Sequence, residues 1–96
     1  MDRTLSKIFG NRTHIKIILQ FYNDTRYFDN ITGLAKSFNR SHVTMRKVVT
    51  ELIEVGILSE INIGKSKVIR LNENSPYTKA LFEFIYSLQE LKKDAK

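Results

Sequence analysis

The sequence predicts a mainly α-helical chain with one small β-hairpin, an α+β arrangement in a single domain over residues 1–96. Three observations carry that expectation. Apolar residues recur at helical spacing in four separate segments. Between residues 57 and 71 the repeat shortens to two, as it does in strands. The 96 residues include a single proline and no stretch of linker composition, which suits one core and no more.

In chain order, Leu5, Ile8 and Phe9 make one short helical turn that Gly10 ends. Asn11 then suits an N-cap, and Ile15, Ile18, Leu19 and Tyr22 lie at helical spacing, predicting a helix over 12–23. Asn23, Asp24 and Thr25 break it, and Tyr27 and Phe28 are expected as a very short strand. A new start at Asp29-Asn30 opens a helix whose face is Ile31, Leu34, Ala35 and Phe38, running to about Ser37. Asn39 accepts a left-handed backbone more readily than most residues. Ser41 is a second N-cap, followed by Met45, Val48, Val49, Leu52 and Ile53, so a helix is expected over 42–55 with its stop at Gly56. Residues 57–63 and 67–71 alternate as strands around Gly64-Lys65-Ser66, a hairpin with a basic tip. Asn74-Ser75-Pro76 opens a last helix over 76–93, with Leu81, Phe84, Ile85, Leu88 and Leu91 as its main stripe.

Two helices joined by the turn Phe38-Asn39-Arg40-Ser41, the second leading into a hairpin, carry three further features. Leu34-Ala35 sits in the first of them, Ser41-His42-Val43-Thr44-Met45 opens the second, and Leu52-Ile53-Glu54-Val55-Gly56-Ile57-Leu58 leaves it. Over residues 12–72 this resembles the winged helix-turn-helix family of DNA-binding regulators. That family places Leu-Ala or Ile-Ala in its second helix and begins its recognition helix with Ser, a variable residue, a small residue, Thr and an apolar residue. Its exit into the first wing strand reads Leu-Glu-Glu-Leu-Gly-Ile-Val. Gly64-Lys65-Ser66-Lys67 followed by Leu71-Asn72 is similar to the wing of small ArsR and MarR regulators. Two positions depart from the pattern. Asn39 stands where glycine is usual, and Arg40 stands where a buried leucine is usual, a space that Phe38 is expected to fill.

The resemblance implies binding to double-stranded DNA. With Met45, Val48, Val49 and Leu52 inward, the other face of helix 42–55 carries His42, Val43, Thr44, Arg46, Lys47 and Thr50, and in the family this face enters the major groove. Arg46 and Lys47 suit guanine O6 and N7 or phosphate; Thr44 suits a base edge, and Val43 a thymine methyl. The Ser41 hydroxyl and the adjacent helix N-terminus suit phosphate, with Arg40 beside them in the turn. Lys65, Ser66 and Lys67 would reach the minor groove or backbone. The charge distribution agrees: the net charge is +6 and the pI about 9.7. The excess is +2 over residues 1–35, +4 over 36–70 and zero beyond.

No catalytic set is evident: there is no phosphate-cradling glycine loop and no Ser/His/Asp or Cys/His arrangement, so an enzyme is not expected. Without cysteine, and with His14 and His42 isolated, neither a metal nor a cofactor is expected. His14 and His42 read as surface or partly packed residues; Glu51, Glu54 and Glu60 read as solvated. No inducer pocket is evident, and only a small one would fit. The longest apolar runs are too short to span a bilayer, and the N-terminus has no signal-peptide pattern, so the cytoplasm is the expected location.

The last helix has a second apolar patch at Phe82 and Tyr86, which predicts a homodimer through Leu5, Ile8, Phe9, Phe82, Tyr86 and Leu88. The competing expectation is that Phe82 and Tyr86 fold back under Leu5, Ile8 and Phe9. In the ArsR and MarR families the terminal helices make the dimer, so the resemblance points the same way. Two other functions stay open beside a sequence-specific regulator. One is a winged-helix protein-interaction module of transcription or replication machinery; the other is a DNA-organising or partition protein with little sequence preference.

Overall fold

A computed structural model of the chain describes residues 2–94. The elements are α1 (Asp2–Phe9), α2 (Arg12–Asn23), β1 (Phe28–Asp29), α3 (Ile31–Ser37), α4 (His42–Val55), β2 (Leu58–Ile63), β3 (Ser66–Leu71) and α5 (Pro76–Asp94). The strands form one antiparallel sheet in the order β1-β3-β2.

Helix starts are fixed by side chains that satisfy otherwise unpaired amides. At α2, Asn11 Oδ1 accepts from the Thr13 and His14 amides at 2.8 and 3.3 Å, while the Asn11 amide donates to His14 Nδ1 at 3.2 Å. This is a reciprocal capping box in which histidine takes the place that Glu or Gln usually holds. Asn30 Oδ1 accepts from the Gly33 amide at 2.7 Å to start α3, and Ser41 Oγ accepts from the Thr44 amide at 3.1 Å to start α4. Asn39, at φ 53°, is the left-handed residue between α3 and α4. Gly56, at φ 100°, ends α4 and lets the Ile57 amide turn back to the Leu52 carbonyl at 2.9 Å.

The core lies where α2, α3 and α4 meet the inner sheet face. Ile17, Phe21, Leu34, Met45, Val48, Val49, Leu52, Ile57, Leu58 and Ile69 are all buried there. Cross-strand partners share a sheet face, so Leu58 with Leu71 turns inward, whereas Ile61 with Val68 and Phe28 with Arg70 turn the other way. Phe21 and Tyr27 meet edge to face at 5.3 Å. Burial first, and then the neighbouring Asp29 carboxylate, raises the Tyr27 phenol above its usual pKa.

Four local expectations change. α1 runs from Asp2 rather than making one turn, and it buries Ile8 in the chain's own core. Tyr27 lies before the strand, and β1 joins the sheet beside β3 as Phe28–Asp29. The hairpin loop is two residues long, since Ile63 pairs with Ser66. Gly64, at φ 61°, is the only one of the two loop residues at positive φ, the pattern of a type II′ turn.

The fourth change concerns α5. Its inward side is Thr78, Leu81, Phe82 and Ile85, because Phe82 packs edge to face on Tyr22 of α2 at 5.1 Å. Of the expected main stripe, Leu81 and Ile85 turn inward, whereas Phe84, Leu88 and Leu91 are exposed. Of the competing sequence expectations for Phe82, neither placed it against Tyr22.

Candidate nucleic-acid interface

α4 is held by its apolar side and by both of its carboxylates. Met45, Val48, Val49 and Leu52 are buried. Glu51 Oε1 lies 2.8 Å from His14 Nε2, and Glu54 Oε1 lies 3.3 Å from Lys7 Nζ. His14 is 1% exposed. Because its Nδ1 accepts the Asn11 amide proton, the ring proton is assigned to Nε2, which donates to Glu51. These contacts correct the reading of His14 as a surface or partly packed residue and of Glu51 as solvated. They also pair the two acidic groups of α4 with α2 and α1, Glu54 remaining exposed.

The remaining side of α4 is open. His42, Val43, Arg46, Lys47 and Thr50 are exposed, Val43 by 81%, and together with the half-buried Glu51 they border one shallow concavity of about 430 Å³. Thr44 is half-buried, and its Oγ1 accepts from the Ser41 hydroxyl at 3.1 Å. Ser41 and Thr44 thus stand at the helix start already linked to each other. The first turn of α4 has no acidic residue, so the positive end of its dipole is unopposed there.

Arg40 behaves differently from the other expected contacts. Its Nε donates to Thr13 Oγ1 at 3.0 Å, and its Nη1 donates to the Phe38 and Asn39 carbonyls, each at 3.2 Å. The guanidinium therefore ties the turn to α2 and caps the end of α3. Phe38 is partly buried and packs against the core. Arg40 is a fastener of the turn through its Nε and Nη1.

At the wing, Lys65 occupies the loop while Ser66 and Lys67 begin β3, all three exposed. Lys67 is opposite Asn62 on the face that carries Ile69 and Leu71 further along; Ser66 is on the other face. The hairpin that carries this tip is anchored by Leu58 and Ile69 in the same core as α4.

The residues expected at a dimer interface are divided. Leu5, Phe9 and Leu88 are exposed, and Phe9 and Leu88 border one apolar groove of about 300 Å³ with Ile15, Leu19 and Phe84. Ile8 is buried, Phe82 is half-buried on Tyr22, and Tyr86 is exposed on the opposite flank of α5. Sequence reasoning missed Ile15, Leu19 and Phe84 as exposed residues. Their spacing is helical, but so is that of the buried positions beside them.

No family model matches the chain, and no curated protein matches it. Solved structures do. HlyU from Vibrio cholerae superposes with a TM-score of 0.67 at 16% identity, covering 88% of this chain and 87% of that one. The homodimeric winged helix-turn-helix DNA-binding domain Mb0332 from Mycobacterium bovis, a possible ArsR-family transcriptional regulator, gives 0.69 at 13% identity, covering 93% and 80%. The antimony-specific transcriptional repressor AntR gives 0.63 at 18% identity, covering 94% and 78%. At these identities the likeness establishes the fold, which is the winged helix-turn-helix.

Proposed function

We propose that this winged helix-turn-helix chain is a sequence-specific duplex DNA-binding transcriptional regulator that acts as a homodimer. The observation that carries the reading is the open side of α4. It presents Arg46 and Lys47 with His42, Val43 and Thr50, while the carboxylates nearby, Glu51 and Glu54, are already engaged by His14 and Lys7. A helix anchored in this way enters the major groove as a rigid reader, with Arg46 and Lys47 on guanine edges or phosphate and Val43 on a thymine methyl. Lys65 and Lys67 add backbone or minor-groove contacts from the wing. The Ser41 hydroxyl serves first as the α4 cap and then contacts phosphate beside the helix N-terminus.

Dimerisation rests on exposed apolar surface. Leu5, Phe9, Ile15, Leu19, Phe84, Leu88 and Leu91 are large exposed side chains on α1, α2 and α5, an unusual concentration for so small a chain. A second copy covers this surface twice by symmetry. The homodimeric state of the Mb0332 domain and the repressor role of AntR lend support to both parts of the reading.

The test is binding-site selection from a random duplex pool, followed by titration of selected and scrambled duplexes at several salt concentrations. A specific regulator enriches a near-palindromic sequence and binds it at least ~1,000-fold more tightly than the scrambled duplex. Equal, steeply salt-dependent binding to both would reassign the chain to DNA organisation. Absence of binding to either would leave the protein-interaction module as the surviving function.

A further inference from the structure

The flank of α5 opposite the exposed Phe84–Leu91 stripe borders an open cleft of about 620 Å³. That volume suits a molecule of two or three rings. Two of its walls are aromatic and mutually perpendicular: Tyr22 and Phe82 meet at 5.1 Å with an interplanar angle of 86°. Tyr86, one turn along α5 from Phe82, is 58% exposed at the rim. The Tyr22 hydroxyl is held by Gln89 Oε1 at 3.1 Å, which fixes the first wall against α5.

The cleft's charge is opposite to that of the chain. Glu73, just after β3, and Glu83, on α5, both line it; Lys79 is its one basic side chain. Among the described residues neither carboxylate has a cation within ion-pair distance, although Lys79 precedes Glu83 by one helical turn. Electron-rich ring faces attract cations, and two unpaired carboxylates strengthen that attraction while repelling anions. A neutral molecule of the same shape gains the apolar burial alone.

We infer that this cleft binds a flat organic cation, with its ring against Tyr22, Phe82 and Tyr86 and its charge between Glu73 and Glu83. The floor of the cleft includes Thr78, whose Oγ1 donates to the Gly56 and Ile57 carbonyls at 3.5 and 3.4 Å. The ligand would therefore sit beside the C-terminal end of α4, away from its DNA-facing start. This site is independent of the function proposed above and is tested without DNA.

The experiment is calorimetric titration of the full chain with proflavine, a three-ring aromatic cation, and with anthracene-9-carboxylate, a three-ring anion. The expected result is saturable binding of proflavine at one site per chain and no saturable binding of the anion. Tyr86→Ala should weaken proflavine about threefold to fivefold, and Glu73→Gln with Glu83→Gln by at least as much. Circular dichroism of each variant checks that it is folded, as expected for exposed positions. Equal binding of cation and anion, unchanged affinity in both variants, or no saturable proflavine binding would each overturn the proposal.

Discussion

Arg46 and Lys47 are exposed and make no ion pair among the described residues, so their side chains add little to folding. Replacing both with Ala is expected to weaken duplex binding by about 1–3 kcal/mol for each residue that reads a base. The same change should move stability by less than about 0.5 kcal/mol. Fluorescence anisotropy and a thermal melt check the two halves, and unaltered binding would remove α4 from the interface. His14 is the reverse case, buried and bonded at both ring nitrogens. His14→Ala removes the reciprocal partner of the Asn11 cap, strips Glu51 of its donor and opens a void. A loss of about 2–4 kcal/mol is expected, read as a thermal midpoint lower by roughly 10 °C or more. An unchanged midpoint would mean that the Asn11–His14–Glu51 chain does not hold α2 to α4. His14 was hard to see in the sequence because an isolated histidine offers no local sign of a partner 37 residues away.

Among the elements, the wing makes a separable contribution. Lys65 lies in the two-residue loop and Lys67 near the start of β3, both beyond the anchoring residues Leu58 and Ile69. Lys65→Ala with Lys67→Ala should lower affinity for specific and scrambled duplexes alike. It should also reduce the slope of log K against log salt by about one unit for each phosphate that is no longer neutralised. A preserved slope would place the tip away from the backbone. The end of α4 is more sharply constrained, because Gly56 holds a positive φ and a Cβ there would sit 3.2 Å from Ser75 Oγ. Gly56→Ala is expected to cost about 1 kcal/mol or more, measured by urea denaturation. A variant as stable as the wild type would show that the left-handed cap is not required.

At the scale of the whole molecule, the proposed dimer rests on the exposed apolar groove and stripe on α1, α2 and α5. Light scattering should give the wild type twice the 11.2 kDa chain mass. Phe84→Glu with Leu88→Glu should give the single-chain mass with helical content intact, and binding reduced to a weak half-site. Tyr86→Glu, on the other flank of α5, should leave the dimer in place. A wild-type mass of 11.2 kDa at high concentration would rule out the assembly. The palindromic site would fall with it, since two recognition helices about 34 Å apart are what demand one.

The amino-acid sequence by itself determined the order of helices, the caps at Asn11 and Ser41, the helix start at Asp29-Asn30, the stop at Gly56 and the open face of α4. Each of these is written in residues one to four positions apart, the range over which backbone hydrogen bonds and helical periodicity act. Only the tertiary structure decided which flank of α5 turns inward, where the Arg40 guanidinium goes and what His14 holds. α5 carries apolar residues on more than one flank, and its own periodicity cannot choose between them. The choice falls to Tyr22, whose ring meets Phe82 edge to face and leaves Phe84, Leu88 and Leu91 outside. Arg40 likewise finds its partner in Thr13, 27 residues earlier in the chain. Packing against distant segments settles such competitions because shape and hydrogen-bond complementarity appear only once the helices are assembled.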